Sequence, residues 1–179
     1  MRHAVGAMCV VVGLGLLSGC SPADLPLVAV WMGTDGKPAA EVRLCEGDQA
    51  SDVTLHSWVE DEYDHADVGD GEPSATPSST VGSGVEDSGW MARVSVRGST
   101  SFPLFSPPPS WHVETAGPQA LLPGRTYALT FTGPRDSDTY DGHVYFTAND
   151  LASLGPDQVW ADGRAMNRNA FDELVDDKC

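Results

Sequence analysis

The sequence predicts an all-β fold, because its apolar residues recur in short segments of period two that turn residues separate. The chain of 179 residues contains 19 glycines and 13 prolines, residue types that favour tight turns over long helices. This length lies in the range of one domain with a substantial core. We therefore expect a single domain built from many short strands.

The first predicted strands precede residue 61. Leu27 to Met32 is continuously apolar, as in a strand covered on both faces. Gly33-Thr34-Asp35-Gly36 predicts a hairpin turn that leads to a second strand at Glu41 to Cys45. A third strand is predicted at Asp52 to Glu60, where valine and leucine side chains share one face.

The clearest alternation of apolar and polar residues runs from Trp90 to Arg97 and predicts a half-buried antiparallel strand. Arg125 to Thr132 and His143 to Thr147 repeat the pattern, and Gln158 to Ala161 predicts an edge strand. Strands at these intervals predict an antiparallel β-sandwich of the immunoglobulin-like type.

Two helices interrupt the strand pattern. Asn149 or Thr147 can cap a short helical turn from Asp150 to Leu154 through its side-chain oxygen. A C-terminal helix is predicted at Arg168 to Lys178, because apolar residues recur there at helical spacing. If this helix packs on the sandwich, it brings the last residue, Cys179, close to the second strand.

A segment from Val68 to Gly89 consists almost entirely of Gly, Ser, Thr, Pro, Asp and Glu. It has almost nothing to bury, so we predict a flexible acidic loop between two strands. Such a loop can act as a binding lid, and a solvated insertion is the simpler interpretation.

The N-terminus predicts an export signal over residues 1–19. Arg2 precedes fourteen uncharged and mostly apolar residues, Ala4 to Leu17, a run too short to span a bilayer as a stable helix. The next residues complete Leu17-Ser18-Gly19-Cys20, which resembles the lipobox of bacterial lipoproteins. That resemblance implies a diacylglyceryl group on Cys20, which becomes the first mature residue. An ordinary secretory signal and an uncleaved anchor are the alternatives.

A lipid on Cys20 implies a membrane-tethered extracytoplasmic protein on the outer face of the cell membrane. One acyl chain such as palmitate anchors a protein only marginally, so stable attachment needs two or more. The predicted tether covers residues 20–26 and reaches about 20 Å when fully extended. Residues 27–179 form the predicted sandwich domain, which would stand close to the membrane.

The charge balance is strongly acidic. The chain has 10 basic and 26 acidic residues, and removal of residues 1–19 takes away Arg2, so the mature net charge is 9 − 26 = −17. Such a surface repels nucleic acid and favours cations and basic partners. Solubility of an exported protein is the favoured explanation for the acidic surface, ahead of a specific cation site.

Cysteine usage agrees with export. After removal of the signal and acylation of Cys20, the remaining thiols are those of Cys45 and Cys179. An even pair in an oxidising compartment predicts a disulfide between them. The alternative is two unpaired thiols.

No catalytic site is predicted. Gly82-Ser83-Gly84 lacks the Gly-x-Ser-x-Gly pattern of a nucleophile elbow and lies in the predicted loop. The histidines of the mature chain are scattered and do not have the His-Glu-x-x-His spacing of a zinc site. The sequence therefore predicts a protein that is not an enzyme and that has no cofactor beyond the covalent lipid.

Calcium is the metal with the best candidates. Asp136, Asp138 and Asp141 could supply oxygen ligands from the turn before Gly142. They depart from the EF-hand pattern, and the same is true of the acidic residues between positions 60 and 70. The default expectation is that no specific metal site is present.

The segment Phe102 to Trp111 is the strongest sequence candidate for recognition. Prolines here hold the rings of Phe102, Phe105 and Trp111 apart, and exposed rings can stack on sugars or peptides. A crossover between two sheets also needs rigid apolar packing, and this alternative stays open. Trp58 and Tyr145 are two further aromatic residues whose exposure would matter.

Further motifs follow one another along the mature chain: an early Val-Trp run, Cys45 before a turn, Leu122-Pro123-Gly124-Arg125-Thr126-Tyr127, the segment Thr147 to Val159, and a terminal cysteine. This order resembles small uncharacterised lipoproteins of actinobacteria. The resemblance implies an envelope location and a common fold, and it transfers no catalytic residue. The sequence predicts a non-enzymatic binding or scaffolding module for an envelope protein or glycan. The alternative is a cell-envelope hydrolase or a solute-binding accessory protein.

Overall fold

A computed structural model of the chain describes residues 24–59, 88–133 and 141–179. The strands in these ranges are β1 (Asp24–Leu25), β2 (Val28–Met32), β3 (Pro38–Arg43), β4 (Gln49–Trp58), β5 (Gly89–Arg97), β6 (Ser99–Pro103), β7 (His112–Ala116), β8 (Thr126–Thr132), β9 (Asp141–Thr147), β10 (Gln158–Ala161) and β11 (Arg164–Asn167). The helices are α1 (Ala148–Ala152) and α2 (Arg168–Lys178). Neither helix has the length and apolar character that would let it cross a bilayer.

The strands form two sheets that pack face to face, so the predicted all-β sandwich is confirmed. Among the described residues, sheet A has the order β1-β9-β8-β4-β5-β7 and sheet B the order β11-β10-β2-β3-β6. Neighbouring strands are antiparallel except for β1, which is parallel to β9. The arrangement β9-β8-β4-β5 opposite β2-β3-β6 resembles the order G-F-C-C′ opposite A-B-E of immunoglobulin sandwiches.

Tyr127 supports this comparison, because it forms a tyrosine corner at the start of β8. Its ring is fully buried. Its hydroxyl donates to the carbonyl oxygen of Ala120 at 3.1 Å and accepts from the amide of Leu122 at 2.7 Å. Such a corner fixes the loop that crosses between the sheets. Gly124 takes a positive φ of 69° in this turn, a conformation that glycine adopts without strain.

The core lies between the sheets and is built by alternate residues of each strand. Alternation is strict in β9, where every second side chain is buried, and β8 follows it except for Ala128, which is buried as well. The largest side chains with almost no exposure are Tyr127, Phe131, Phe146, Phe171, Leu27, Leu55, Leu104, Leu129 and Leu151. Trp90 joins them, and its indole N–H donates to the carbonyl oxygen of Leu104 at 2.7 Å.

Helix α2 spans the predicted residues, Arg168 to Lys178, and buries Phe171 and Val175. Its first free amides are capped by Asn167, whose side chain accepts from Ala170 N at 2.8 Å. Helix α1 begins one residue after Thr147, which forms a capping box with Asp150. Of the two residues that the sequence predicts as the cap, Asn149 and Thr147, the structure uses Thr147.

The C-terminus is attached to β3 and the turn that follows it. Cys45 and Cys179 form a disulfide with their Cα atoms 5.2 Å apart, which confirms the predicted pair. Arg43 binds Asp172 of α2 at 2.7 Å and Glu41 at 3.3 Å. Burial opposes the charge of Arg43, but the hydrogen bonds and charges of Asp172 and Glu41 outweigh it and hold the Arg43 pKa above its ordinary value.

The amino-terminal boundary of the folded part differs from the predicted one. The tether was expected to reach residue 26, but Asp24 and Leu25 pair with Asp141 and Gly142 of β9. The carboxylate of Asp24 also lies 2.6 Å from Nδ1 of His143. The chain is thus fixed to the sandwich from Asp24 onward.

Candidate functional site

Four ring-bearing side chains gather on the outer face of sheet A. His56 and Trp58 lie two residues apart on β4, and His143 and Tyr145 lie two residues apart on β9. They face outward because the residues between and beside them, Leu55, Ser57, Val144 and Phe146, are buried. We call these four side chains the outer ring cluster.

The rings contact one another across the sheet. The centroids of His56 and Trp58 are 5.2 Å apart in a stacked arrangement. Trp58 meets Tyr145 edge-on at 6.1 Å, and Tyr145 meets His143 at 4.6 Å. Contacts of this kind favour offset or edge-to-face geometry and hold the rings in place. The outer ring cluster is therefore one connected surface.

A small residue of β8 lies beneath these rings. Ala128 is the direct neighbour of His56 on one side and of Tyr145 on the other. Although it faces outward, Ala128 has no exposed surface. A methyl group on an outward face would normally be exposed to solvent, so the larger side chains next to Ala128 must cover it. Tyr145 is 51% exposed, and His56 is exposed as well.

A groove continues from His56 toward β7. It has a volume of about 320 Å³ and is lined by Thr54 and His56 of β4, Gly89 and Met91 of β5, and Glu114 of β7. Met91 is 51% exposed, a high value for a large apolar side chain. The volume is at the lower end of the range found for small-ligand sites. Rings and groove together form a continuous surface across β9, β8, β4, β5 and β7.

A second cavity lies where β8 begins and β9 ends. It measures about 300 Å³ and is lined by residues 123–126 and 147–149. Thr126 of this lining is the direct cross-strand neighbour of both Trp58 and Thr147. This cavity therefore borders the outer ring cluster at Thr126.

A buried polar cluster supports this end of the sheet. Ser57 Oγ accepts from Arg125 Nη1 at 3.0 Å and from the amide of Ser88 at 3.2 Å. Ser88 Oγ in turn donates to the carbonyl oxygen of Pro118. Ser57, Ser88 and Arg125 are each less than 5% exposed. Their hydrogen bonds fix the ends of β4 and β5 and thereby the walls of the groove and of the second cavity.

Strand β9, which carries half of the ring cluster, is held on its outer side as well. The indole N–H of Trp160 donates to the carbonyl oxygen of Tyr145 at 2.8 Å. Asp24 binds His143, as described above. These contacts restrict the main chain on both sides of Tyr145, so a ligand would meet rings in a preformed arrangement.

The aromatic residues predicted between Phe102 and Trp111 lie elsewhere. Phe102 is 3% exposed and packs between the rings of Trp90 and Trp111, at 5.9 and 4.9 Å. Phe105 is partly buried and meets Tyr127 edge-on at 6.2 Å. Trp111 is also partly buried against the core. This placement favours the packing interpretation that the sequence left open.

Several predicted residues lie outside the described ranges. These are Cys20, Asp136, Asp138 and residues 68–87 of the predicted loop. Asp141 starts β9 and pairs with Asp24 in register. Within the described ranges, no three His, Cys, Asp or Glu side chains gather into a group that could hold a metal ion. Ser88 and Gly89, assigned to the loop from the sequence, are buried, and Gly89 is the first residue of β5.

Sequence reasoning named Trp58 and Tyr145 but did not join them into a site. The signal was present as two similar motifs, His56-x-Trp58 and His143-x-Tyr145, each at alternate positions of a strand. Alternation places the two rings of each motif on one face. Only the sheet order, which puts β8 alone between β4 and β9, brings the two motifs together.

A scan against models of protein families and searches of curated proteins and of solved structures gave no match.

Proposed function

We propose that this protein is a lipid-anchored extracytoplasmic binding module, without enzymatic activity, whose binding surface is the outer ring cluster and the adjoining groove. The observation that carries the proposal is the position of the half-exposed Tyr145 within a connected set of rings on an open sheet face. Large apolar side chains that remain exposed together on a soluble surface are typical of interaction sites.

The groups on this surface suit recognition by contact. Rings provide broad apolar faces and few rotatable bonds, so they bind at a low cost in conformational entropy. The groove adds the threonine hydroxyl of Thr54 and the carboxylate of Glu114, which can orient a polar ligand. An envelope glycan or an envelope protein has both apolar faces and hydrogen-bonding groups. These two are therefore the ligand classes that we propose.

A cell-envelope hydrolase or a solute-binding accessory protein is the competing function. A hydrolase needs an acid and a base, or a metal, that converge on one reacting atom. The outer ring cluster instead presents rings around Ala128. The geometry of this surface favours binding.

The proposed anchor would hold the sandwich very near the membrane. Because the chain is fixed from Asp24 onward, only residues 21–23 separate it from Cys20. These allow a reach of about 14 Å at full extension. The end of the sandwich at which β9 begins would then face the lipid, and Trp58, at the other end of sheet A, would lie farther from it.

We expect Cys20→Ser, in a chain whose residues 1–19 are replaced by an ordinary cleaved secretory signal, to be absent from the membrane fraction of cells that produce it. The reason is that acylation needs the thiol of Cys20, and neither described helix has the length and apolar character to cross the bilayer. Metabolic labelling with a fatty-acid probe, followed by fractionation, measures both effects. Labelling that persists in Cys20→Ser, or an unlabelled wild-type chain, would contradict the anchor.

We expect a photoreactive phenylalanine analogue at position 145 to crosslink to an envelope glycan or protein in intact cells. The same analogue at Met32, which is 37% exposed on sheet B, is the matched control. Trp58→Ala should reduce crosslinking at position 145 by about tenfold or more, because central aromatic residues contribute most of the binding energy in interfaces. Equal yields from positions 145 and 32, or recovery of lipid alone, would contradict the proposed surface.

A further inference from the structure

The edges of the two sheets differ in how well they are protected. Exposed edges present unpaired main-chain groups and can accept a further strand, and proteins normally block them. In the described part of the chain, β6 ends in Pro103, and β11 has only four residues. The outer side of β9 is covered by β1 and by the indole of Trp160. These features block or shorten three of the four edges.

Strand β7 is the remaining edge, and the described residues place none of these protections on it. It is paired with β5 along all five of its residues, and the described structure shows no strand on its other side. Residues His112, Glu114, Thr115 and Ala116 are exposed. The strand contains no proline and no lysine, the residues that most often discourage pairing at an edge.

The register shows which main-chain groups of β7 face outward. The side-chain amide of Gln119 donates to the carbonyl oxygens of both Gly89 and Ala116, at 2.9 and 3.0 Å. One nitrogen can reach both oxygens only if they lie between β5 and β7, so these two residues form a hydrogen-bonded pair. Hydrogen-bonded pairs alternate along an antiparallel ladder. Val113 and Thr115 therefore direct their N–H and C=O groups to the open side.

We propose that the open edge of β7 binds an extended peptide segment by strand addition, with a lysine or arginine of that segment beside Glu114. This site adjoins the proposed groove, with which it shares Glu114, but it does not depend on the outer ring cluster. Main-chain hydrogen bonds from Val113 and Thr115 supply the affinity, and alternate side chains supply the selectivity.

The charge of the surface selects the occupant. Glu114 is exposed and faces outward next to Met91, at the rim of the groove. A basic residue directly opposite Glu114 on an added strand forms a favourable cross-strand pair, whereas an acidic residue there is unfavourable. The chain carries a net charge of −16, which repels a second copy and attracts a basic segment. A basic peptide therefore fits the edge better than β7 of another molecule.

The test uses the purified full chain and two capped nine-residue peptides that alternate valine and threonine, with either lysine or glutamate at the centre. We expect the lysine peptide to bind more tightly, by up to about fivefold, from the energy of one cross-strand charge pair. Its binding should slow hydrogen exchange at the amides of Val113 and Thr115 and leave Glu114, whose amide already faces β5, unchanged.

Thr115→Pro should abolish binding, because it removes an outward N–H while the ladder to β5 keeps its own donors. Thr115→Val is the matched control and should bind normally. Glu114→Lys, which keeps the main chain intact, should reverse the preference between the two peptides. Thermal unfolding of each variant shows that the sandwich is retained.

Three outcomes would overturn the proposal. The first outcome is that the Thr115→Pro variant binds both peptides as tightly as the wild type does. The second is exchange protection away from Val113 and Thr115. The third is a concentration-dependent dimer that Thr115→Pro dissociates, since that result would assign the edge to a second copy of the chain.

Discussion

Replacement of both Cys45 and Cys179 by serine should lower the free energy of unfolding by up to about 5 kcal/mol, the value of the chain-entropy model for a loop of this size. The disulfide joins residues 134 positions apart, so its loss frees almost the whole domain in the unfolded state. Measured effects of native disulfides are about 2–5 kcal/mol. Urea unfolding, monitored by tryptophan fluorescence, gives the difference.

Arg43→Met is the matched control for this measurement. It removes the ionic contacts to Asp172 and Glu41 but keeps the disulfide. Because Asp172 is half-exposed, the expected loss is about 1 kcal/mol or less. A double serine variant within about 1 kcal/mol of wild type would show that side-chain packing alone secures α2.

Gly89→Ala should destabilise the fold by about 3 kcal/mol or more, at or beyond the upper end of overpacking effects. A Cβ atom at this position would lie 2.1 Å from the carbonyl oxygen of Leu55, a main-chain atom that cannot rotate away. The start of β5 would have to move away from β4. The groove beside the ring cluster, which Gly89 lines, should deform at the same time.

Gly155→Ala separates this effect from the general cost of replacing glycine. Its Cβ atom would meet only the side chain of Gln158, at 3.2 Å, which can adjust. We expect its midpoint in thermal unfolding to stay close to that of wild type. If Gly89→Ala unfolds at the same temperature as Gly155→Ala, the close approach of β4 and β5 does not limit stability.

The elements that sequence reasoning predicted well are those whose pattern is local. Helix α2 has apolar residues at helical spacing and ends at the predicted Lys178. Strand β10 also lies at its predicted residues, although it is not the predicted edge strand, because it pairs with β11 on one side and β2 on the other. In such segments the burial of one face determines both the type of element and its extent.

The missed elements either lack a hydrophobic pattern or depend on a turn. Strand β7 is almost entirely exposed, so period two is not visible in its composition. Strand β11 had a usable signal in Asp162-Gly163, which joins it to β10 through two residues of positive φ, 51° and 66°. Gly89 was assigned to a loop because a residue without a side chain carries no pattern of burial.

The candidate site could be predicted only in its parts. The residues of each ring motif share a face for local reasons, but their meeting depends on which strand lies between β4 and β9. Sequence reasoning gave more weight to the dense aromatic run at Phe102, which the fold uses for its core. Rings separated by some 90 positions form the exposed surface instead.

The two-residue ladder between β1 and β9 would have a mechanical consequence if the protein is held by its amino end, as proposed above. Tension along the tether would act first on Asp24 and Leu25, which form the two-residue strand β1 nearest to the anchor. These residues would separate from β9 and lengthen the tether by several ångströms, at about 3.3 Å for each residue freed. The carboxyl terminus is joined to Cys45 by the disulfide of Cys179. The remaining strands would therefore keep their arrangement while β1 separates from β9.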